Sequence, residues 1–421
     1  MFLKFREKIF YGWVIVLNTI IISLILSGVR RSFGVFFKPL ASEFNLTRAT
    51  TSSLYSIHML LSAFFTIVGG WALDKYGPRF VFLLMGFFTG FCFLLSSLTN
   101  SFWQLYLSYS LLLAIGTASI YPVLHATVSK WFEKKRGLAT GLAGTGPSLG
   151  LIIFAPFSAF LIFQFDWRIA YQVIGVIIWL VILPLSRLLR NNPNEIGFQP
   201  DGAAARTTIP EDKDEIFQLT SLSLSQALKS RNYWIFSPVW LCMGFGNFLV
   251  YTHIVPFATD ANITTMQAAT IISVIGGAAI PVGILMGKIS DKIGRKIPII
   301  TASLLRAGAF VGLIFTHELW MFNLCAIIFG ISIGTGHLFA ALSVDIFGKK
   351  SIGVIMGILN LVFTIGAAIG PFIGGLVYDV NNNYNIAFLI GAISSVMAAL
   401  LISLIKVETQ RDVLGGKGPN G

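Results

Sequence analysis

Charged residues are scarce in this chain, and carboxylates are the scarcest: 18 of 421 residues are Asp or Glu and 30 are Lys or Arg, 11% in all. Ordinary soluble domains carry roughly a quarter charged residues, so with 55% hydrophobic residues a soluble fold is excluded. Long polar stretches are lacking too. Only one, from Leu189 to Lys229, interrupts a succession of apolar runs, each near the roughly 20 residues that cross a bilayer as a helix. Cysteine is limited to Cys92, Cys242 and Cys325, each inside an apolar run and without metal or disulfide spacing. They read as packing residues, and neither a metal nor a cofactor is expected. The glycine-rich segments 141–147 and 366–371 lack a following Gly-Lys-Ser/Thr, which removes a nucleotide loop. No small-residue cleavage site follows the first apolar run, so that run is expected to act as the targeting signal itself.

What is present is an all-α pattern of twelve apolar spans, at about 10–37, 49–73, 80–98, 102–132, 137–163, 167–189, 232–257, 265–289, 297–316, 319–346, 353–378 and 384–405. The formal charge of +12 would suggest nucleic acid on a soluble protein. Here the basic residues lie in short loops and alternate in side. One set of loops holds only Lys38, Arg48 and Arg168, and nearly all other cations fall on the opposite side. By the positive-inside rule both termini and the polar linker are cytoplasmic, in a multi-pass protein of the cell (inner) membrane. The division expected is an N-terminal six-helix bundle at 1–189, a cytoplasmic linker at 190–230 and a C-terminal six-helix bundle with a short tail at 231–421, with a short amphipathic helix near Leu222 to Leu228.

The two halves repeat. Gly70, Asp74 and Gly77 meet Gly287, Asp291 and Gly294 at an offset of 217, and Trp167-Arg168-Ile169-Ala170-Tyr171 meets Tyr384-Asn385-Ile386-Ala387-Phe388 at the same offset. Six spans per repeat give both halves one orientation, with substrate expected between them near the midplane. The repeated loop, Gly-x-x-x-Asp-Lys-x-Gly with Arg79 or Arg295 near its end, needs glycine for close packing and a tight turn, and its charges can pair across a membrane face. Gly70, Asp74, Gly77, Arg79, Gly287, Asp291, Gly294 and Arg295 resemble the signature loop of the major facilitator superfamily, a resemblance that implies a conformational latch. Within the first span stand Arg30 and Arg31. A guanidinium at membrane depth costs roughly 2.5 to 3.5 kcal/mol and faces a cavity, a partner or an anion. Adjacent helix positions point about 100° apart, so the two cannot serve one ligand equally.

The loop resembles the signature of the major facilitator superfamily, and two copies in a twelve-span chain make the resemblance specific. Tyr11-Gly12-Trp13, the run 31–38 from Arg31 to Lys38, the run 131–139 from Trp131 to Ala139, Tyr251-Thr252-His253-Ile254-Val255-Pro256 and Asp345-Ile346-Phe347-Gly348 are similar to the monocarboxylate transporter family and its bacterial oxalate/formate antiporter relatives. That likeness covers nearly the whole chain. It implies a secondary transporter of a small organic anion, most plausibly a monocarboxylate, with proton symport or anion exchange, and no enzyme activity. It also implies that Arg31, at the family's lysine position, handles the anion. The chain departs from the family where Gly283 replaces an arginine of the eighth span and where the eleventh span has no charge.

The same likeness assigns the cavity to the first, fourth, seventh and tenth spans. Their polar residues give the substrate-binding candidates Arg31, Tyr121, Asn247, Tyr251, His253 and His337. No carboxylate lies in the middle of these spans, so histidine is the expected proton carrier, with His253, His125 and His337 as candidates. The helical rise places His253 level with Arg31 and puts His125 and His337 deeper toward the cytoplasm. Arg306, on the supporting ninth span, is expected to pair structurally. The expected partners are the anion, a proton or counter-anion and the lipid bilayer. The alternatives are a facilitator-fold exporter of amphipathic or aromatic compounds and a non-transporting membrane sensor; the latter is disfavoured because linker and tail show no signalling domain.

Overall fold

The computed structural model describes residues 10–197, 199–201, 222–348 and 350–405; residues 202–221 of the expected linker and the tail beyond 405 lie outside the described residues. Eleven described helices are long and apolar enough to cross a membrane. One of them, Arg48–Ser97, has 50 residues, about 75 Å of helix at 1.5 Å per residue, more than twice the hydrocarbon thickness of roughly 30 Å. Gly77 interrupts it at φ 78° and ψ 171°, followed by Pro78, so the run is two spans joined by a turn. Twelve spans result: α1 (Tyr11–Glu43), α2 (48–76), α3 (78–97), α4 (Phe102–Trp131), α5 (Arg136–Gln164), α6 (Trp167–Ser186), α7 (Arg231–Asp260), α8 (Thr265–Ile293), α9 (Lys296–Ile314), α10 (Leu319–Phe347), α11 (Ile352–Asn381) and α12 (Asn385–Leu404). Gly294 repeats the turn with φ 82°. A side chain with a Cβ is strained at such angles, which is why both loop copies keep glycine there.

Packing follows the sequence repeat. In the first half α1 lies on α5 and α3 on α6; in the second, α7 lies on α11 and α9 on α12. The halves meet through two further equivalent pairs, α2 with α11 and α5 with α8. Three cavity helices are broken. Arg31 is the last residue of a segment that stops at Ser32, whose backbone N–H and hydroxyl both donate to the Gly28 carbonyl. In α4 the helix lapses at Ala118 and Ser119, and in α10 at Thr335 and Gly336, positions again 217 apart. Each break frees backbone groups at membrane depth, which is tolerated where the chain is buried in protein or lines a cavity. Before α7, Leu224–Lys229 forms the short linker helix, held by a capping box between Ser223 and Gln226.

Candidate substrate site and gate

Arg31 emerges from the break in α1 at the C-terminal end of a helix segment, where the helix dipole favours a cation. Its Nη2 donates to the Tyr121 hydroxyl at 2.6 Å, and its guanidinium lies 5.2 Å from the centroid of the Tyr251 ring. The break in α4 two residues earlier presents Tyr121, and Gly34, three residues on in α1, abuts the Tyr251 and Thr252 carbonyls. Arg31, Tyr121 and Tyr251 thus come together from α1, α4 and α7. Arg31 Nε has no hydrogen-bond partner, and no ion pair among the described residues involves Arg31, Arg30 or Arg306. Three guanidiniums therefore stand within the spans without a counter-ion.

Asn247 is placed elsewhere. Its Oδ1 lies 3.5 Å from Arg306 Nη1, and Arg306 also donates to the Ser395 hydroxyl at 3.1 Å and to the Met243 sulfur at 2.8 Å. Arg306 is fully buried and holds α7, α9 and α12 together. The C-terminal half does contain an intramembrane cation, but on α9 behind α7, not on α8 or α11.

His253 belongs to a different cluster from Arg31. It is fully buried with its ring nitrogens engaged: Nε2 lies 2.8 Å from the Pro371 carbonyl and 3.3 Å from the Ser52 hydroxyl, and Nδ1 lies 3.1 Å from the Tyr384 hydroxyl. A carbonyl can only accept, so Nε2 carries the hydrogen and Nδ1 accepts from Tyr384. The Tyr384 hydroxyl in turn accepts from Arg48 Nη1 at 2.6 Å. A phenol is a hydroxyl near neutral pH, so the chain stays intact. His125 and His337 are exposed; His125 makes no hydrogen bond, and His337 Nδ1 donates locally to the Gly334 carbonyl at 3.0 Å.

Around His253 the two halves are joined by a gate that the sequence did not disclose. Asp260, ending α7, accepts from Lys38 Nζ and from the Arg48 guanidinium, each at 2.7 Å. Asp379, near the end of α11, accepts the Arg48 and Ala49 backbone N–H groups at 2.8 Å each. A carboxylate of one half thus caps the first turn of a helix of the other, where unpaired N–H groups and the helix dipole favour an anion. The Arg48 guanidinium also stacks 3.4 Å from the Tyr378 ring centroid. Gly375 makes this approach feasible, since a Cβ there would stand 2.5 Å from the Arg48 carbonyl oxygen. The only advance signal was that Lys38 and Arg48 are two of the three cations on that side.

The opposite end is open. Asp74, Arg79 and Asp291 are exposed and make no ion pair among the described residues. Gly70, Gly294, Gly353 and Gly357 have nothing near the space a Cβ would fill. Arg295 pairs with Asp345 of its own half. The eight loop residues therefore make no contact between halves in this conformation. Among the described residues every hydrogen bond, ion pair and ring contact between the halves lies level with Arg31 or beyond it toward Arg48.

This combination, two equivalent six-helix bundles joined at one end and parted at the other about a half-buried cation, describes a multi-pass membrane transporter. The Major Facilitator Superfamily model matches residues 19–340 and 315–418. Monocarboxylate transporter 13 from Bos taurus is 30% identical over 406 residues, covering 94% of this chain and 89% of that protein. Monocarboxylate transporter 11 from Homo sapiens is 26% identical, covering 90% and 80%. A solved bacterial homolog of the human lysosomal transporter Spinster, in an inward-facing and unoccupied conformation, aligns with a TM-score of 0.68 at 18% identity, over 94% of this chain and 96% of that one. The chain belongs to the major facilitator superfamily and, within it, to the monocarboxylate transporter family; it is a transporter and not an enzyme.

Proposed function

We propose that the chain carries a small organic anion, in the first place a monocarboxylate, by alternating access of its two halves, with a proton or an exchanged anion as counterpart. The observation that carries this reading is Arg31, half-buried between Tyr121 and Tyr251 with no carboxylate partner. A guanidinium so placed offers a fork that matches a carboxylate, and the aromatic rings give the rest of a small substrate an apolar wall. The names of the relatives favour the same class. Asn247 then acts at one remove, positioned by Arg306. The positive-inside pattern orients the loop-motif end and both termini to the cytoplasm of the cell membrane, so the conformation described is the one open to the cytoplasm. In the opposite conformation the eight loop residues, Gly70, Asp74, Gly77, Arg79, Gly287, Asp291, Gly294 and Arg295, come together as the latch while the Arg48 gate parts.

A thermal-shift screen of the purified protein tests this directly, because a ligand of the native state raises apparent stability. Carboxylates that raise the melting temperature support the reading. Stabilisation by lipophilic cations alone would favour an exporter of amphipathic compounds, a class that the uncompensated guanidiniums disfavour.

A further inference from the structure

One neighbourhood in the first half collects buried polar atoms that no contact satisfies: Arg30 Nε, the Tyr55 and Tyr109 hydroxyls and both ring nitrogens of His58. Arg30 is 6% exposed, Tyr55 and Tyr109 1% each, and His58 0%. The His58 and Tyr55 rings lie 5.4 Å apart, and Phe33 packs against Tyr55 and Tyr109 at 5.2 and 5.4 Å. Arg30 from α1 stands within electrostatic reach of His58, Tyr55 and Tyr109. Among the described residues the charged and titratable groups facing His58 are Arg30 from α1 and Tyr55 on its own helix, with no carboxylate and no lysine. The Ser110 carbonyl approaches the ring without closing a hydrogen bond of good geometry. Buried polar groups are nearly always satisfied. A cluster left open around a permanent cation and a titratable ring is suited to a charge that comes and goes.

We propose that His58 is the proton-binding site of this transporter and that Arg30 ties its protonation to the arrival of an anion. The proposal rests on the anion reading given above. Two positive charges side by side in a low-dielectric interior repel strongly, so an imidazolium at His58 beside the Arg30 guanidinium calls for an anion close to both. An anion on Arg31 lies in the field of both arginines, because the two are neighbours in the last turn of the first segment of α1. Its negative charge offsets Arg30, a proton adds to one ring nitrogen, and the Ser110 carbonyl is at hand to accept the imidazolium N–H. By linkage, protonation of His58 tightens the anion by the same factor as the anion favours the proton. His125 and His337 are exposed and lack the buried, unpaired ring nitrogens that single out His58. His253 is committed to the gate.

The test is calorimetric binding of pyruvate to the purified full chain at about pH 5.5 and about pH 7.5. In the unaltered protein the lower pH should tighten binding about tenfold or more. His58→Gln should bring that ratio close to one, and Arg30→Gln should reduce it, because protonation no longer waits for the anion. His58→Asn, run in parallel with a melting curve for each variant, guards against a folding defect, since the ratio is read within each folded protein. A full ratio in both His58 variants would overturn the proton site and leave the anion reading standing. If pyruvate does not bind the unaltered protein at either pH, or binds Arg31→Gln equally well, the anion reading falls and this proposal falls with it.

Discussion

The two ends of the cleft between the halves are built from similar residues and are used in opposite ways. At one end Lys38, Arg48, Asp260 and Asp379 are joined across the halves. At the other, Asp74, Arg79 and Asp291 are exposed and make no ion pair among the described residues. The joined end is not an apolar seam. It consists of partly exposed ion pairs, a borrowed helix cap and one hydrogen-bonded chain through Tyr384 and His253, and half-exposed pairs of this kind contribute only about 0.2 to 1 kcal/mol each. Such contacts hold a state without locking it. Under the proposed alternating access two end-closures of comparable strength are needed, and the second is assigned to the loop charges.

The largest shift in that comparison is expected from Asp260→Ala, which deprives both Lys38 and Arg48 of their shared carboxylate. Leaving the half-buried guanidinium underpaired costs roughly 1 to 3 kcal/mol, a fivefold to hundredfold loss of the closed end. A cysteine placed by Ser52→Cys should then react with a membrane-impermeant thiol reagent from that face. The native Cys92, Cys242 and Cys325 are buried and keep the background low. Gly375→Ala should act the same way somewhat less, by roughly 1 to 2 kcal/mol, since the added methyl meets the Arg48 carbonyl and α11 must draw back from α2. Lys38→Gln, at a side chain 40% exposed, should change Ser52→Cys labelling by severalfold at most, and added salt should erase the difference. Asp74→Asn should leave this conformation within about 0.5 kcal/mol of the unaltered protein, as an exposed substitution without partners. A large effect of Asp74→Asn on labelling of the closed end would mean that the two ends already communicate in this state.

Much of the fold was legible because bilayer thickness converts directly into run length. The twelve apolar runs, the Gly77 and Gly294 turns and the offset of 217 all follow from local composition and spacing. The gate was not legible, since Arg48 meets Asp260 and Asp379 across more than two hundred residues. His253 shows the limit most clearly. The helical rise places it at the level of Arg31, but rise fixes height and not azimuth, and its ring turns toward Pro371 and Tyr384. Asn247 likewise faces Arg306 on α9, a partner that the family pattern of α8 and α11 gave no reason to expect. Tyr121 and Tyr251 were reachable because each is a rare polar group on a cavity helix.

The central claim is that Arg31 receives the anion and Arg30 does not. It is tested most directly by measuring substrate affinity in Arg31→Gln, Arg31→Lys and Arg30→Gln. Removing the charge opposite a buried carboxylate typically costs 2 to 5 kcal/mol, so Arg31→Gln should bind roughly thirtyfold to several-thousandfold more weakly. Arg31→Lys keeps the charge without the planar fork and should fall between, while Arg30→Gln should stay within a few fold near neutral pH. Near-normal affinity in Arg31→Gln with collapse in Arg30→Gln would contradict the account.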